Sequence, residues 1–202
     1  MKHIFSLLTL ILLLMISGIP SCVNIPKIQE AMDTIDDTWR VSNNDLARTY
    51  GTRTYGISKT DAFRAMIISL TELGFAIKNQ DHRTGIILAE APIPNPLTKA
   101  EWQAIKKVEE PQMQKIAAPI VGDSTAQLFI LADNHFTIVA NAIFLERKND
   151  LEISLRFNME YTGSGNVVSY GQQPPPTAVE SGIKKVWNTF EKTAFIQEKT
   201  LQ

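Results

Sequence analysis

Leu151-Glu152-Ile153-Ser154-Leu155-Arg156-Phe157-Asn158-Met159-Glu160-Tyr161 alternates without a break between apolar and polar side chains. Successive side chains of a strand point to opposite faces, so the stretch predicts a strand in an antiparallel sheet, buried on one side and wet on the other. Phe136 to Leu145, just before it, is apolar on both faces, and Arg147-Lys148-Asn149-Asp150 between the two reads as a turn. Together they predict a long antiparallel hairpin. Gln127 to Leu131 is expected to add a short strand ahead of it.

A sheet with one apolar face needs a cover. Val179, Ile183, Val186, Trp187, Phe190 and Ala194 fall at helical spacing, while Glu180, Lys184, Lys185, Glu191 and Lys192 lie largely off that stripe. Thr177 with Glu180 has the spacing of a capping box, so a long final helix is predicted to start there and lie on the sheet.

Upstream, Arg48 to Ile57 reads as a strand, with Tyr50, Thr52, Thr54 and Tyr55. Ser58 with Asp61 opens a helix striped by Phe63, Met66, Ile67, Leu70 and Leu73, and Gly74 supplies a left-handed cap. Phe75 to Lys78 and Gly85 to Glu90 form a hairpin across the turn-rich Asn79 to Thr84. Pro92, Pro94 and Pro96 then interrupt regular structure. Residues 92–122 are expected to be an insertion of one or two short helices, with Thr98 and Glu101 as a second capping box and Trp102, Ile105 and Val108 as a narrow stripe ending at Pro111. The expected fold is α+β: one domain over 48–197, its antiparallel sheet of four to five strands packed against two helices.

The amino terminus has a different character. Met1-Lys2-His3 is followed by Ile4 to Ile16, an apolar run broken only by Ser6 and Thr9. This has the layout of a secretory signal, shorter than the roughly 20 apolar residues of a spanning helix. Ile19-Pro20-Ser21-Cys22 follows and resembles a bacterial lipobox, with an aliphatic residue three before the cysteine and a small one just before it. The resemblance implies diacylglycerol on the Cys22 sulfur, cleavage that removes 1–21, and an acylated new amino terminus. Cys22 is the only cysteine, so no intramolecular disulfide is available. Residues 22–47, rich in Asp and Asn, read as a lipidated tether carrying one short helix around Ile28 to Ile35. Val23 stands after the cysteine where, by analogy with enteric bacteria, an aspartate would imply inner-membrane retention, so the outer membrane is expected, with the body facing the periplasm or the cell surface.

The order strand, helix, two strands, insertion, two strands, helix resembles the helix-grip domains of envelope lipoproteins such as the BamC component of the outer-membrane β-barrel assembly machinery. The segment from Arg53-Thr54-Tyr55-Gly56-Ile57 through Leu73-Gly74-Phe75-Ala76-Ile77 to Asp81-His82-Arg83-Thr84-Gly85-Ile86-Ile87 is similar to that family's first strand-helix-hairpin unit. The likeness covers order and patterning over 48–197 and no motif string. BamC-type proteins carry two such domains, and this chain has room for one.

Candidates for chemistry are few. Asp81-His82 and Asp133-Asn134-His135 sit in turns, without the spacing of a metal site. Gly122-Asp123-Ser124 is similar to the nucleophile block of GDS-type esterases, but no histidine follows residue 135 to serve as its partner. Thr162-Gly163-Ser164-Gly165 opens no helix and precedes no lysine, unlike a phosphate loop. With 20 Lys and Arg against 21 Asp and Glu and no basic run, nucleic acid is not an expected partner. No catalytic residue, metal or cofactor is expected. The expected function is that of a non-catalytic accessory lipoprotein, held on the membrane by its lipid and docking another envelope protein. The alternative is a pocket for a lipid or other apolar ligand between the sheet and the last helix. Trp102, Phe157, Met159, Trp187 and Phe190 are the residues expected at the interface or in that pocket.

Overall fold

The computed structural model describes residues 24–148, 150–163 and 173–200, with side chains as far as Ala194 in the last stretch. Cys22 and the segment before it lie outside these residues.

The fold is α+β. The strands are β1 (Thr52–Tyr55), β2 (Ala76–Asp81), β3 (Ile86–Pro92), β4 (Phe136–Glu146) and β5 (Leu151–Tyr161), in one antiparallel sheet of spatial order β1-β5-β4-β3-β2. The helices are α1 (Ile25–Thr49), α2 (Lys59–Glu72), α3 (Lys99–Val121), the single turn α4 (Asp123–Ala126) and α5 (Pro176–Thr200). From β1 onward the order is strand, helix, four strands, helix, with α3 and α4 inserted between β3 and β4.

The alternation along β5 is realised as read. Leu151, Ile153, Leu155, Phe157 and Met159 are buried, while Arg156, Asn158 and Glu160 are exposed. On β4 the inward positions hold Ile138, Ala140, Ala142 and Phe144, in register with Met159, Phe157, Leu155 and Ile153. Small residues at mid-strand, with Ala89 and Ala91 beside them on β3, leave a shallow trough on the covered face. Above the sheet, Trp187 and Phe190 of α5 are completely buried and meet Tyr55 of β1 at centroid distances of 6.1 and 5.1 Å. The indole N–H of Trp187 donates to the carbonyl of Tyr50 at 2.8 Å, which removes the cost of burying that polar edge. The far edge of the sheet is different: β2 is mostly exposed, its pairing with β3 shifts between Ile77 and Asn79, and Lys78 there pairs with Glu90 at 3.2 Å.

Several expectations are corrected. Most of the stretch expected as a tether is the 25-residue helix α1. Asn24 caps it, accepting from the Lys27 N–H, and Ala31, Ile35, Trp39, Asn43 and Ala47 recur every fourth residue as its buried stripe. Of the polar residues that suggested a spacer, Asp33, Asp37, Asn44 and Asp45 lie on the wet side. There the Thr34, Thr38 and Ser42 hydroxyls donate to the carbonyls four residues back, and Asp37 pairs with Arg40 and Asp45 with Arg48. Arg48 and Thr49 therefore belong to α1, and β1 is only four residues long. Gly51 makes the tight passage between the two: a Cβ there would stand 2.6 Å from the Leu155 carbonyl oxygen and 2.7 Å from that of Ala47.

The insertion holds one 23-residue helix, α3, and the turn α4, where one or two short helices were expected. Thr98 and Glu101 form their capping box, but Pro111 does not end the helix. Pro111 and Pro119 both sit on its exposed side, so the carbonyls they leave without an intrahelical donor belong to the exposed Lys107 and Lys115. The capping box expected at Thr177 is also absent. Glu180 pairs with Lys184, and the Thr177 N–H is met instead by Glu109 of α3. Gln127 to Leu131 forms no strand, because no strand lies beside it to complete a ladder.

Candidate functional site

The most developed cavity of the described residues is a half-open apolar groove of about 360 Å³. One wall is α1, from which Ile28, Met32, Ile35 and Trp39 face it at the i, i+4, i+7, i+11 spacing of one helical side. Trp102 and Met113 of α3 form the opposite wall, and Ile93, Phe136, Met159 and Pro175 close the end towards the sheet.

The remaining side is a strap, residues 127–133, that lies against α3 without regular structure. Its alternation is real: Leu131 is buried, Phe129 is half-buried, and Leu128 and Ile130 between them are 76% and 65% exposed. Side chains of α3 take the place of a neighbouring strand. Glu110 accepts from the Leu131 N–H at 3.0 Å, and Gln114 donates to the Phe129 carbonyl at 3.2 Å. At the end of the strap Asp133 accepts from the indole N–H of Trp102 at 3.0 Å, from Gln103 at 3.3 Å and from Lys106 at 3.1 Å. The hydrogen bond from Lys106 holds the Asp133 carboxyl below its ordinary range, reinforced by the charge of Lys106 and by Trp102 and Gln103. The polar edge of Trp102 is thus used on the strap, and its ring is left for the groove.

Polar groups in the groove are few. Among the described residues Asp36 is the only ionisable one that lines it, and its carboxylate accepts from the Gln173 backbone N–H at 2.8 Å. A site of this make-up can hold hydrocarbon. It has no convergent acid, base or nucleophile with which to do chemistry.

A second cleft, near the start of α2, is larger, at about 550 Å³, but shallower and polar. Lys59 there pairs with Glu146 at 3.6 Å and donates to the Arg83 carbonyl, His82 bonds Thr60 at 3.2 Å, and Arg147 pairs with Glu152. Lys59 and Arg147, two of its cations, are already paired, and its open, polar form makes it the weaker candidate. Among the described residues no three His, Cys, Asp or Glu side chains are placed to share a metal ion. Asp123 and Ser124 begin the turn α4.

The five residues expected at an interface or pocket do not converge. Trp102 and Met159 line the groove. Phe157 stacks on Phe75 at 6.1 Å beneath α5, and Trp187 and Phe190 are locked in the core. Among the described residues, the gap between sheet and last helix where Phe157 and Val179 meet is only about 20 Å³, room for about one water. The groove residues that sequence reading missed include those of α1 and the strap, with Ile93, Met113, Phe136 and Pro175. The four-residue spacing from Ala31 to Ala47 was the available signal for α1.

Comparison with protein-family models, with curated proteins and with solved structures finds no match.

Proposed function

We propose that the chain is a non-catalytic lipoprotein of the bacterial envelope, anchored through Cys22, that acts by binding an apolar ligand in the groove between α1 and the strap. The observation that carries the binding reading is the groove itself: two tryptophans, two phenylalanines and three methionines line a hollow whose one charged group is already committed to a backbone N–H. Solvent-facing hydrocarbon gathered in a concave site is stabilised by an occupant that removes it from water. The lipobox-like Ile19 to Cys22 supports the anchor, and Val23 supports the outer membrane as its place.

Two measurements on the full-length protein test this. Mass spectrometry of the membrane fraction is expected to find acyl chains at Cys22 and none in Cys22→Ala. Brominated fatty acid added to nanodisc-bound protein is expected to quench Trp39 and Trp102 emission, and Met113→Arg should abolish most of that quenching. Equal quenching in the variant would reject the groove as the site.

A second reading, docking of another envelope protein, has its own observation. Leu128 and Ile130 are large aliphatics left in water side by side on the strap, the kind of anchor a protein partner would cover. Because Leu128 and Ile130 also border the groove, the discriminating variant is Met113→Arg on the α3 wall, which on this reading would leave crosslinking to an envelope-assembly protein intact while abolishing fatty-acid quenching.

A further inference from the structure

We propose that the occupant of the groove is an acyl chain of the protein's own Cys22 lipid. The inference rests on the lipidation of Cys22 proposed above, and it starts from reach. Cys22 precedes the α1 cap, Asn24, by two residues, a connection of at most about 7 Å. It precedes Ile28, the first groove residue of α1, by six. The groove then follows α1 from Ile28 to Trp39, about 16 Å at the helical rise, which is the length scale of one long hydrocarbon chain. The groove therefore begins, along the chain, six residues after the attachment point of the lipid.

Chemistry selects the chain over a whole lipid. Among the described residues the groove offers a headgroup little: its polar lining is Asp36, which accepts from the Gln173 N–H, with Thr125 and Gln173. Its volume of about 360 Å³ falls at the low end of ligand sites, suited to one chain and not to two or three. Tethering selects the source: a ligand fixed a few residues away binds intramolecularly, at an effective concentration of about millimolar or more, which a free lipid has to match by abundance. A chain held in the groove leaves the others in the bilayer. Anchoring needs more than one chain, so withdrawal of one weakens attachment without abolishing it.

Cells expressing the full-length protein are fed a fatty acid carrying a photoreactive diazirine, irradiated, and the purified protein is digested and analysed by mass spectrometry. The feed labels both the protein's lipid and free phospholipid, and the two give crosslinks of different mass. The proposal expects the acylated Cys22 peptide joined to peptides holding Ile28–Trp39 or Leu128–Leu131. Ile28→Glu and Leu128→Glu change groove-lining positions outside the core, and each should reduce those crosslinks about tenfold by placing a charge in the apolar lining. Label on Cys22 that crosslinks only to bulk lipid would overturn the proposal and leave the lipoprotein reading in place. Groove peptides carrying free phospholipid and no Cys22 peptide would overturn self-occupancy and keep the apolar site. Absence of label from the chain would overturn both the anchor and this inference.

Discussion

The carboxylate of Glu109, in the middle of α3 and only 2% exposed, accepts the backbone N–H of Thr177 at 2.7 Å, so one helix caps the first turn of another. Pro176 has no N–H to offer, and Thr177 carries the first donor of α5 that needs a partner. Removing that acceptor leaves a buried amide unmet. Glu109→Ala is expected to lower unfolding stability by about 1–2 kcal/mol, with Glu109→Gln in between because its amide oxygen still accepts. Urea denaturation monitored by circular dichroism measures this. Unchanged midpoints in both variants would mean that α5 is held by its apolar stripe alone.

The passage from α1 into β1 leaves no room for a methyl group at Gly51. Gly51→Ala forces a Cβ against two backbone oxygens and is expected to cost about 1–3 kcal/mol. Gly56, with nothing within 4 Å of a built Cβ, is the internal control, and Gly56→Ala should leave the melting temperature nearly unchanged. Equal melting temperatures for the two variants would contradict the close contact of α1 and β5 at Gly51.

Glu101 gives the domain an acid-sensitive joint. Its carboxylate accepts from Lys185 of α5 at 2.6 Å and from the Thr98 N–H at 2.6 Å, and these hydrogen bonds, led by that from Lys185, pull its pKa from 4.5 down to about 2. A pKa depressed by folding contributes stability that is complete above 4.5 and is lost as pH falls towards 2. Wild-type protein should therefore lose more of its denaturation midpoint between pH 4.5 and 2 than Glu101→Gln does. Parallel curves for the two proteins would show that this carboxylate is not linked to folding.

The strap depends on α3 for hydrogen bonds that a strand would have taken from a neighbour. Glu110→Ala removes the acceptor of the Leu131 N–H, and hydrogen exchange at Leu131 is expected to accelerate by about tenfold while the amides of β4 stay protected. Uniform protection in the variant would mean that apolar packing alone fixes the strap.

How far these features were legible depends on what each residue had to contend with. Leu151 to Tyr161 could be read directly, since one face of β5 is wet and a two-residue period has no rival explanation. The α5 stripe was equally plain. α1 was hidden because Asp33, Asp36, Asp37, Asn43 and Asn44 are poor helix formers, and tertiary burial of Ile35 and Trp39 overrides that weak preference. Gln127 to Leu131 has the alternation of a strand without the partner that makes one, a fact about the rest of the chain that no local pattern contains. The groove was missed for the same reason: its walls come from the two segments read as spacer and strand. Trp102 and Met159, expected at an interface or pocket, line the groove, while Trp187 and Phe190 are buried in the core.

The irregularity between Ile77 and Asn79 has a consequence beyond the single molecule. An open strand edge is a template on which an identical chain can add. At this edge the ladder slips by a residue just where Lys78 turns to Glu90, so an incoming strand would find its pairing rhythm broken and a charge to strip of water. Edge-to-edge pairing of two copies along β2 is disfavoured by the same slip that marks the end of its regular ladder.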